Sequence, residues 1–309
     1  MKMRSSKFET INELTYNWFT QALAKNLPVS GAVIQVKAKE IAIEIGEHDF
    51  KASNGWLEAF KSRHKLTFSS VCGESKDVQQ QPVNDFLEKL PEMIAGYKIE
   101  DIANCDETAL FFRAIPKKTL HKKGEKCYGG KHSKDRLSIL LCCFADGKFE
   151  KPLVIGKSQN PRCFKGVKKH HLPVSWYANK KAWMTGSIME EFLIQLNKKM
   201  MIQKRNFLLF LDNASSHPNL KLSNVQLIFL PPNTTSQTQP LDQGIINAIK
   251  VHYRKRVLKR LICQMDTARN VSDLVKGITF LDAIFWLKEA IESLNDKVVP
   301  NCFRKAGFQ

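Results

Sequence analysis

Five apolar residues in succession, Phe207 to Leu211, run straight into an aspartate and then into the turn-forming sequence Asn-Ala-Ser-Ser-His-Pro. A run that short and that uniformly apolar reads as a buried strand, and the polar break marks where it surfaces. Asp212 therefore stands at a strand end. An Asp-Asn pair is also a good turn former with no further role, so the position alone leaves open whether Asp212 is structural or does chemistry.

Comparable apolar runs bounded by turns recur at 97–107, 136–156, 170–178 and 224–233. Between them, SIMEEFLIQLNKKMM places Ile188, Phe192, Leu196 and Met200 four apart, the spacing of one helical face. From Leu241 to Leu294 the pattern is mainly helical. Strands interleaved with helices predict an α/β core with a helical end.

The first 65 residues differ. Ile11, Leu14, Trp18 and Ala22 share one helical face, and Ile34, Ala38, Ile41, Ala42 and Ile45 share another, ending at Gly46. Ser53 can cap a third helix that turns Trp56, Leu57 and Phe60 inward and leaves Lys61, Arg63, His64 and Lys65 outside. Three short helices, the last one basic, suit a helix-turn-helix module. Polar sequence from Thr67 to Ile94 reads as a linker holding one helical fragment, VNDFLEKLPEMI. The expected divisions are 1–68, a linker at 69–97, and 98–309.

Lys and Arg exceed Asp and Glu by 48 − 30 = 18, an excess that draws polyanions and makes double-stranded DNA the first partner to consider. A membrane is excluded as a partner, because the apolar stretches fall well short of the roughly 20 residues that span a bilayer. MKMRSSKFET lacks the apolar core of a signal peptide. The eight cysteines are scattered without zinc-module spacing and read as small buried residues in a reducing compartment.

Three aspartates share one setting, the edge between an apolar element and a polar loop: Asp106, Asp212 and Asp242. Hard divalent cations take oxygen ligands, and two such ions about 3.5–4 Å apart serve in-line phosphoryl transfer. Asp242, placed after Pro240 in what should be the first turn of a long helix, would also be favoured there by the helix dipole alone. Asp106 has Glu107 beside it, and either could be the exposed end of an edge strand. Spacing leaves these alternatives open.

NCDETAL, LLFLDNASSH and FLPPNTTSQTQPLDQGIINAIKVHYRK, in that order, resemble the three blocks of the Tigger and pogo branch of the Tc1/mariner transposases. KPLVIGKSQNPRCFK, LPVSWYANKKAWMT and NCFRKAGF extend the resemblance over roughly 98–309. It implies a ribonuclease H-like α/β fold, with a mixed central sheet flanked by helices. It also implies an acidic triad of Asp106, Asp212 and Asp242, the last two 242 − 212 = 30 residues apart as that branch requires. The triad would hold two Mg2+ ions, with Mn2+ as the substitute, for nicking of transposon ends and strand transfer by a freed 3′ hydroxyl. Glu107 is not a ligand in that scheme, and His217 takes a local hydrogen-bonding role. Gln237 and Thr238 stand where relatives carry apolar residues, which predicts looser packing beside Asp242.

LPVSGAVIQVKAKEIAIEIGEHDFKASNGWLEAFKSRHKL resembles the second helix-turn-helix half of the centromere protein B type of DNA-binding domain. The resemblance implies a small all-α module, its upstream half missing, that meets DNA through Lys51, Asn54, Lys61, Arg63 and Lys65. Basic residues at 117–136, and Arg254, Lys255 and Arg256 in YRKRVLKR, would add to the DNA path. A nuclear location and a homodimer follow from the same resemblance. The alternative is a domesticated or decayed DNA-binding protein of architectural role that keeps the fold without the chemistry.

Overall fold

The structure is a computed structural model that describes residues 8–24, 29, 31–67, 80–114, 135–264 and 271–308. The chain divides into two compact units, 1–73 and 74–309.

The first unit is built from α1 (Glu9–Ala24), α2 (Gly31–Glu44) and α3 (Asn54–Arg63). Ser53 caps α3 as its sequence suggests, its hydroxyl accepting from the Trp56 amide at 3.2 Å. Leu57 and Phe60 are buried with Phe19 and Ile34, and full burial of a Phe such as Phe60 contributes on the order of 2–3 kcal/mol. The inward face of α1 agrees only in part with the one read off its apolar residues: Ile11 and Ala22 are buried and Trp18 half-buried. Leu14 is 40% exposed, while Asn12, Thr15 and Phe19 are buried. Asn12 earns no apolar signal, yet its Oδ1 accepts from the Trp56 indole at 2.8 Å, so the core stripe passes through polar side chains. Ile45, expected on the α2 face, lies past the helix end and is exposed.

The second unit holds a six-stranded sheet of order β4-β3-β2-β1-β5-β6. Its strands are β1 (Ile102–Leu110), β2 (Leu137–Phe144), β3 (Leu153–Gly156), β4 (Ser175–Ala178), β5 (Phe207–Leu211) and β6 (Val225–Phe229). Only β2 runs against the rest: it pairs antiparallel with β1 and β3, while β1 with β5, β5 with β6 and β3 with β4 are parallel. The C-terminal ends of β1, β3, β4, β5 and β6 therefore share one edge of the sheet.

Both faces are covered, which is why β5 reads as an unbroken apolar run and β2 as one interrupted only by Ser138. One face packs on α5 (Gly186–Gln203), through Met189, Leu193, Leu196 and Met200. The other packs on residues of α4 (Gln80–Ile94), α7 (Ile245–Cys263), α9 (Phe280–Glu292) and α10 (Val298–Lys305). The short helices α6 (Thr235–Thr238) and α8 (Val271–Lys276) complete this end.

The stretch expected as a linker is thus more than a connector. Residues 80–94 form α4, whose Phe86 and Leu90 are buried in the sheet's core, with Phe86 edge-on to Phe210 at 6.4 Å. Its polar composition hides a narrow apolar stripe.

Candidate active site

Along β1 the pleat alternates side chains between the two covered faces. Ile102 and Leu110 belong to the α7 side and Ala103 and Cys105 to the α5 side. Asn104 and Asp106 therefore share the α7 side with Ile102, and Glu107 leaves on the other. The β1–β5 ladder pairs Asn104 with Phe210, and carrying that register two residues on brings Asp106 level with Asp212, the first residue beyond β5.

Asn104 ties the third acid to this pair. Fully buried, it donates from Nδ2 to the Phe210 carbonyl at 2.9 Å and to Gln239 Oε1 at 3.0 Å, and its Oδ1 accepts from the Leu241 amide at 2.9 Å. One side-chain amide thus joins β1, β5 and the segment leading to Asp242. Asp242 does not lie in the first turn of the long helix, as its sequence setting suggested. It sits in a separate 3₁₀ turn, Pro240–Gln243, broken from α7 by Gly244 at φ 141°, a backbone conformation that favours glycine.

Thr238 does not loosen this corner. It is fully buried with its hydroxyl 2.9 Å from Thr234 Oγ1 and donating to the Thr234 carbonyl at 3.1 Å, so the polar residue is satisfied where an apolar one was expected. Gln237 remains half-buried beside it.

Asp106 is buried and accepts from the Glu107 amide at 2.8 Å. Burial first, and then the negative charges of Asp242, Glu107 and Asp212, push its carboxyl well above the usual range. Lys250, half-buried on α7, is the cation that answers this charge: burial and Arg254 push its pKa down while Asp106 and Asp242 push it up.

Asp212 faces a second cluster. His217, its side chain fully buried, donates from Nδ1 to the Asp212 carbonyl at 3.0 Å, with Asp212 Oδ1 in ion-pair contact at 2.8 Å, and from Nε2 to Glu107 at 2.9 Å. Burial opposes charge on the imidazole, but its hydrogen bonds to Asp212 and Glu107 outweigh it and hold its pKa at about 10. Burial likewise pushes Asp212 up, and His217 more than reverses this, leaving its carboxyl below the ordinary value. His217 and the Ala214 amide, at 3.4 Å, both meet Oδ1, which leaves Oδ2 for a further ligand.

Among the described residues, Glu107, Asp212 and His217 are the three potential ligand groups whose atoms lie within 4.8 Å of one another; Asp106, Asp212 and Asp242 do not close to that distance. Both imidazole nitrogens of the tighter trio are already engaged, Nε2 by the Glu107 carboxylate and Nδ1 by the carbonyl and carboxylate of Asp212, so it is an ion-paired cluster. The aspartates offer what a hard divalent ion requires: oxygen donors, a buried carboxyl crowded by three other acids, and one free oxygen on Asp212.

The DNA-contact residues read from the sequence fall into different settings. Lys51, Asn54, Arg63 and Lys65 are exposed on the first unit. Lys61 is half-buried and paired with Glu58 at 2.9 Å, and Asn54 Oδ1 accepts from Gln35 at 3.2 Å. Arg254 and Lys255 are exposed on α7. Arg256 is instead a brace: its guanidinium donates to the Glu289 carboxylate at 2.7 Å, the Glu289 carbonyl at 2.9 Å and Ser293 at 2.7 Å, fastening α7 to α9. The basic stretch at 117–136 lies, except for its last two residues, outside the described residues.

Asn104, Gln239 and the pairing of Glu107 with His217 were not read from the sequence. Asn104 had a signal: it lies two residues before Asp106, on the same side of the strand, in an otherwise apolar run.

Residues 134–303 match the family model of the DDE superfamily endonucleases. The chain belongs to the DDE superfamily endonucleases. Residues 8–70 match the Tc5 transposase DNA-binding domain, so this DDE family member is a transposase-derived protein with a transposase-type DNA-binding unit. Tigger transposable element-derived protein 4 of Mus musculus is 33% identical across 100% of this chain, which covers 59% of that protein. Major centromere autoantigen B of Homo sapiens is 30% identical over 98% of this chain and 53% of its own length. The chain spans between half and three-fifths of the length of these curated relatives. The DDE fold is ribonuclease H-like. A Mos1 transposase paired-end complex with left transposon end matches at a TM-score of 0.52 and 13% identity, over 99% of this chain and 78% of that one. A Mos1 mariner paired-end complex with Mn matches at 0.51 and 14%, over 99% and 78%. Among the described residues no helix is long and apolar enough to cross a membrane.

Proposed function

We propose that this chain is a metal-dependent DNA endonuclease and strand transferase of transposase origin, with Asp106, Asp212 and Asp242 as its metal ligands. The observation that carries the reading is Asp106: a buried carboxyl set among Asp242, Glu107 and Asp212, an accumulation of negative charge that a fold without use for a cation has no reason to keep. Asp106, Asp212 and Asp242 would hold divalent ions, which would supply activation of a water or 3′ hydroxyl and stabilisation of the leaving oxygen in an in-line displacement. Mg2+ is the expected ion and Mn2+ its substitute.

The chain's own residues supply the rest. Asn104 fixes the spacing of the three acids. His217 keeps Asp212 ionised and turned so that Oδ2 stays available. Lys250 offers a positive charge to a phosphate oxygen beside Asp242, and Arg254 and Lys255 continue that charge along α7. Lys51, Asn54, Arg63 and Lys65 of the first unit meet the duplex, with phosphate contacts setting register and groove contacts setting sequence. Nuclear action on paired DNA ends, as a homodimer, completes the proposal.

The test is a nicking assay on supercoiled DNA with Mg2+ or Mn2+. Asp106→Asn, Asp212→Asn and Asp242→Asn each abolish nicking while duplex binding persists; nicking unchanged in Asp212→Asn rejects the assignment. A second reading, a duplex-binding protein without chemistry, draws on the three aspartates standing farther apart than the Glu107 trio. It is chosen if the unmodified chain binds duplex yet shows no metal-dependent nicking.

A further inference from the structure

The loop joining β4 to α5 carries Trp183, a large aromatic that is 54% exposed. Water-facing indole is unfavourable, so the loop's construction is informative. Asn179 holds it as a template: its Oδ1 accepts from the Lys181 and Trp183 amides, both at 3.2 Å, and its Nδ2 donates to the Trp183 carbonyl at 2.6 Å. Ala182 sits at φ 50°, a conformation alanine rarely adopts, and is pinned there by Ser138, whose hydroxyl donates to its carbonyl at 2.6 Å. The ring is thus presented by a rigid backbone.

Two cations attend it. The Arg136 guanidinium lies 5.1 Å and the Lys181 ammonium 5.7 Å from the ring centroid. A half-exposed indole with two cations over its ring matches a nucleobase joined to its two flanking phosphates, the base taking the face and the phosphates the cations. It matches a purely apolar partner poorly, since such a partner would bury both charges.

The position fits as well. β4 runs parallel to β1 and β5, so this loop leaves the sheet at the edge where Asp212 follows β5. Arg136 directly precedes β2, whose Leu137 pairs with Leu110 at the end of β1. From Asp106 to Leu110 is about 13 Å at roughly 3.3 Å per residue. That is about four base steps of duplex at roughly 3.4 Å each.

We infer that Trp183 is a stacking platform for an unpaired DNA base a few nucleotides from the scissile phosphate, with Arg136 and Lys181 engaging the phosphates on either side of it. The inference rests on the reading of this chain as one that acts on DNA. As the base arrives, the Arg136 guanidinium moves from the indole face to a backbone phosphate, exchanging a cation–π contact for charge-assisted hydrogen bonds.

The test uses the full chain in metal-free buffer, so that cleavage plays no part. Its probes are two duplexes of equal length, one fully paired and one with a single unpaired 2-aminopurine. The chain binds the unpaired probe about 10-fold more tightly, within the range that base–aromatic stacking provides, and quenches the 2-aminopurine emission. Trp183→Ala removes both effects and leaves affinity for the paired duplex unchanged, while Trp183→Phe keeps most of the preference. Equal affinity for the two probes, or a preference that survives Trp183→Ala, overturns the inference. Failure to bind either duplex overturns it together with the DNA reading. Discrimination by Trp183 in a chain that never nicks DNA upholds the platform and removes only the nuclease.

Discussion

His217 Nε2 lies 2.9 Å from Glu107 and its Nδ1 lies 2.8 Å from Asp212, so one buried imidazole joins a side chain on β1 to the residue just past β5. Removing it leaves two carboxylates facing each other across a site that water enters poorly. His217→Ala is expected to cost about 3 kcal/mol, the lower end for a broken buried pair because both acids keep some exposure. Urea denaturation measures this; a loss below about 1 kcal/mol would show that the cluster is ornamental.

The same cluster sets a pH window. His217 has a folded pKa of about 10 against an unfolded value near 6.5. Its stabilisation is therefore complete below pH about 6.5 and is lost as pH rises through about 10. Asp212, depressed in the fold, contributes above its unfolded value near 3.9 and loses that contribution as pH falls below it. Urea midpoints across pH 3 to 10.5 should fall at both ends. In His217→Gln the alkaline fall disappears, and a midpoint that declines equally in both proteins argues against the assignment.

Asp106 works the other way. Its folded pKa is raised, so the folded chain holds that proton more tightly than the unfolded one, and stability declines as pH climbs past about 4. Asp106→Asn should raise the melting temperature in metal-free buffer by several degrees, about 2–4 °C for each kcal/mol of charge strain relieved. Mg2+ or Mn2+ should then raise the melting temperature of the unmodified chain and not that of Asp106→Asn. An identical metal response in both would separate Asp106 from the ion.

Asn104→Ala strands the Leu241 amide and the Phe210 carbonyl in a dry interior. At about 1–3 kcal/mol for each orphaned group, a loss of about 3 kcal/mol is expected. Because the Asp242 turn is then untethered, the metal-induced rise in melting temperature should vanish with it. A variant that melts early yet responds fully to metal would confine Asn104 to folding.

Arg63→Ala and Lys65→Ala should each weaken duplex binding across all sequences and reduce the slope of log affinity against log salt by about 1. Arg256→Ala should leave that slope unchanged and lower the melting temperature instead, since its guanidinium is engaged with Glu289 and Ser293. Filter binding over a salt series distinguishes the two classes; equal slopes for all three variants would contradict both assignments.

Apolar spacing was enough to read the strands, because a sheet covered on both faces needs long apolar runs and β5 has one. It found α1 and, as a fragment, α4, but not how they enter the core. There the buried stripe passes through Asn12 and Thr15, or is narrow enough to vanish in a polar average. Asp212 was legible as a residue at a strand end, whereas Asp106 lies within β1 rather than at its edge and Asp242 in a 3₁₀ turn. Asn104 was not legible, since a lone buried amide carries no periodic signal and its three partners come from segments more than 100 residues away. The burial of Glu107's partner was hidden for the same reason: His217 reads as part of a turn until the two strands are paired.

Asp106 also bears on how such a gene ages. A carboxylate that works against its own scaffold would be among the first that drift erases in a copy where the proposed cleavage was no longer selected, because a neutral amide in its place relieves the strain. Copies of this lineage that have become hosts' binding proteins should therefore shed that acid early and melt later, so heat resistance across paralogues would date their retirement.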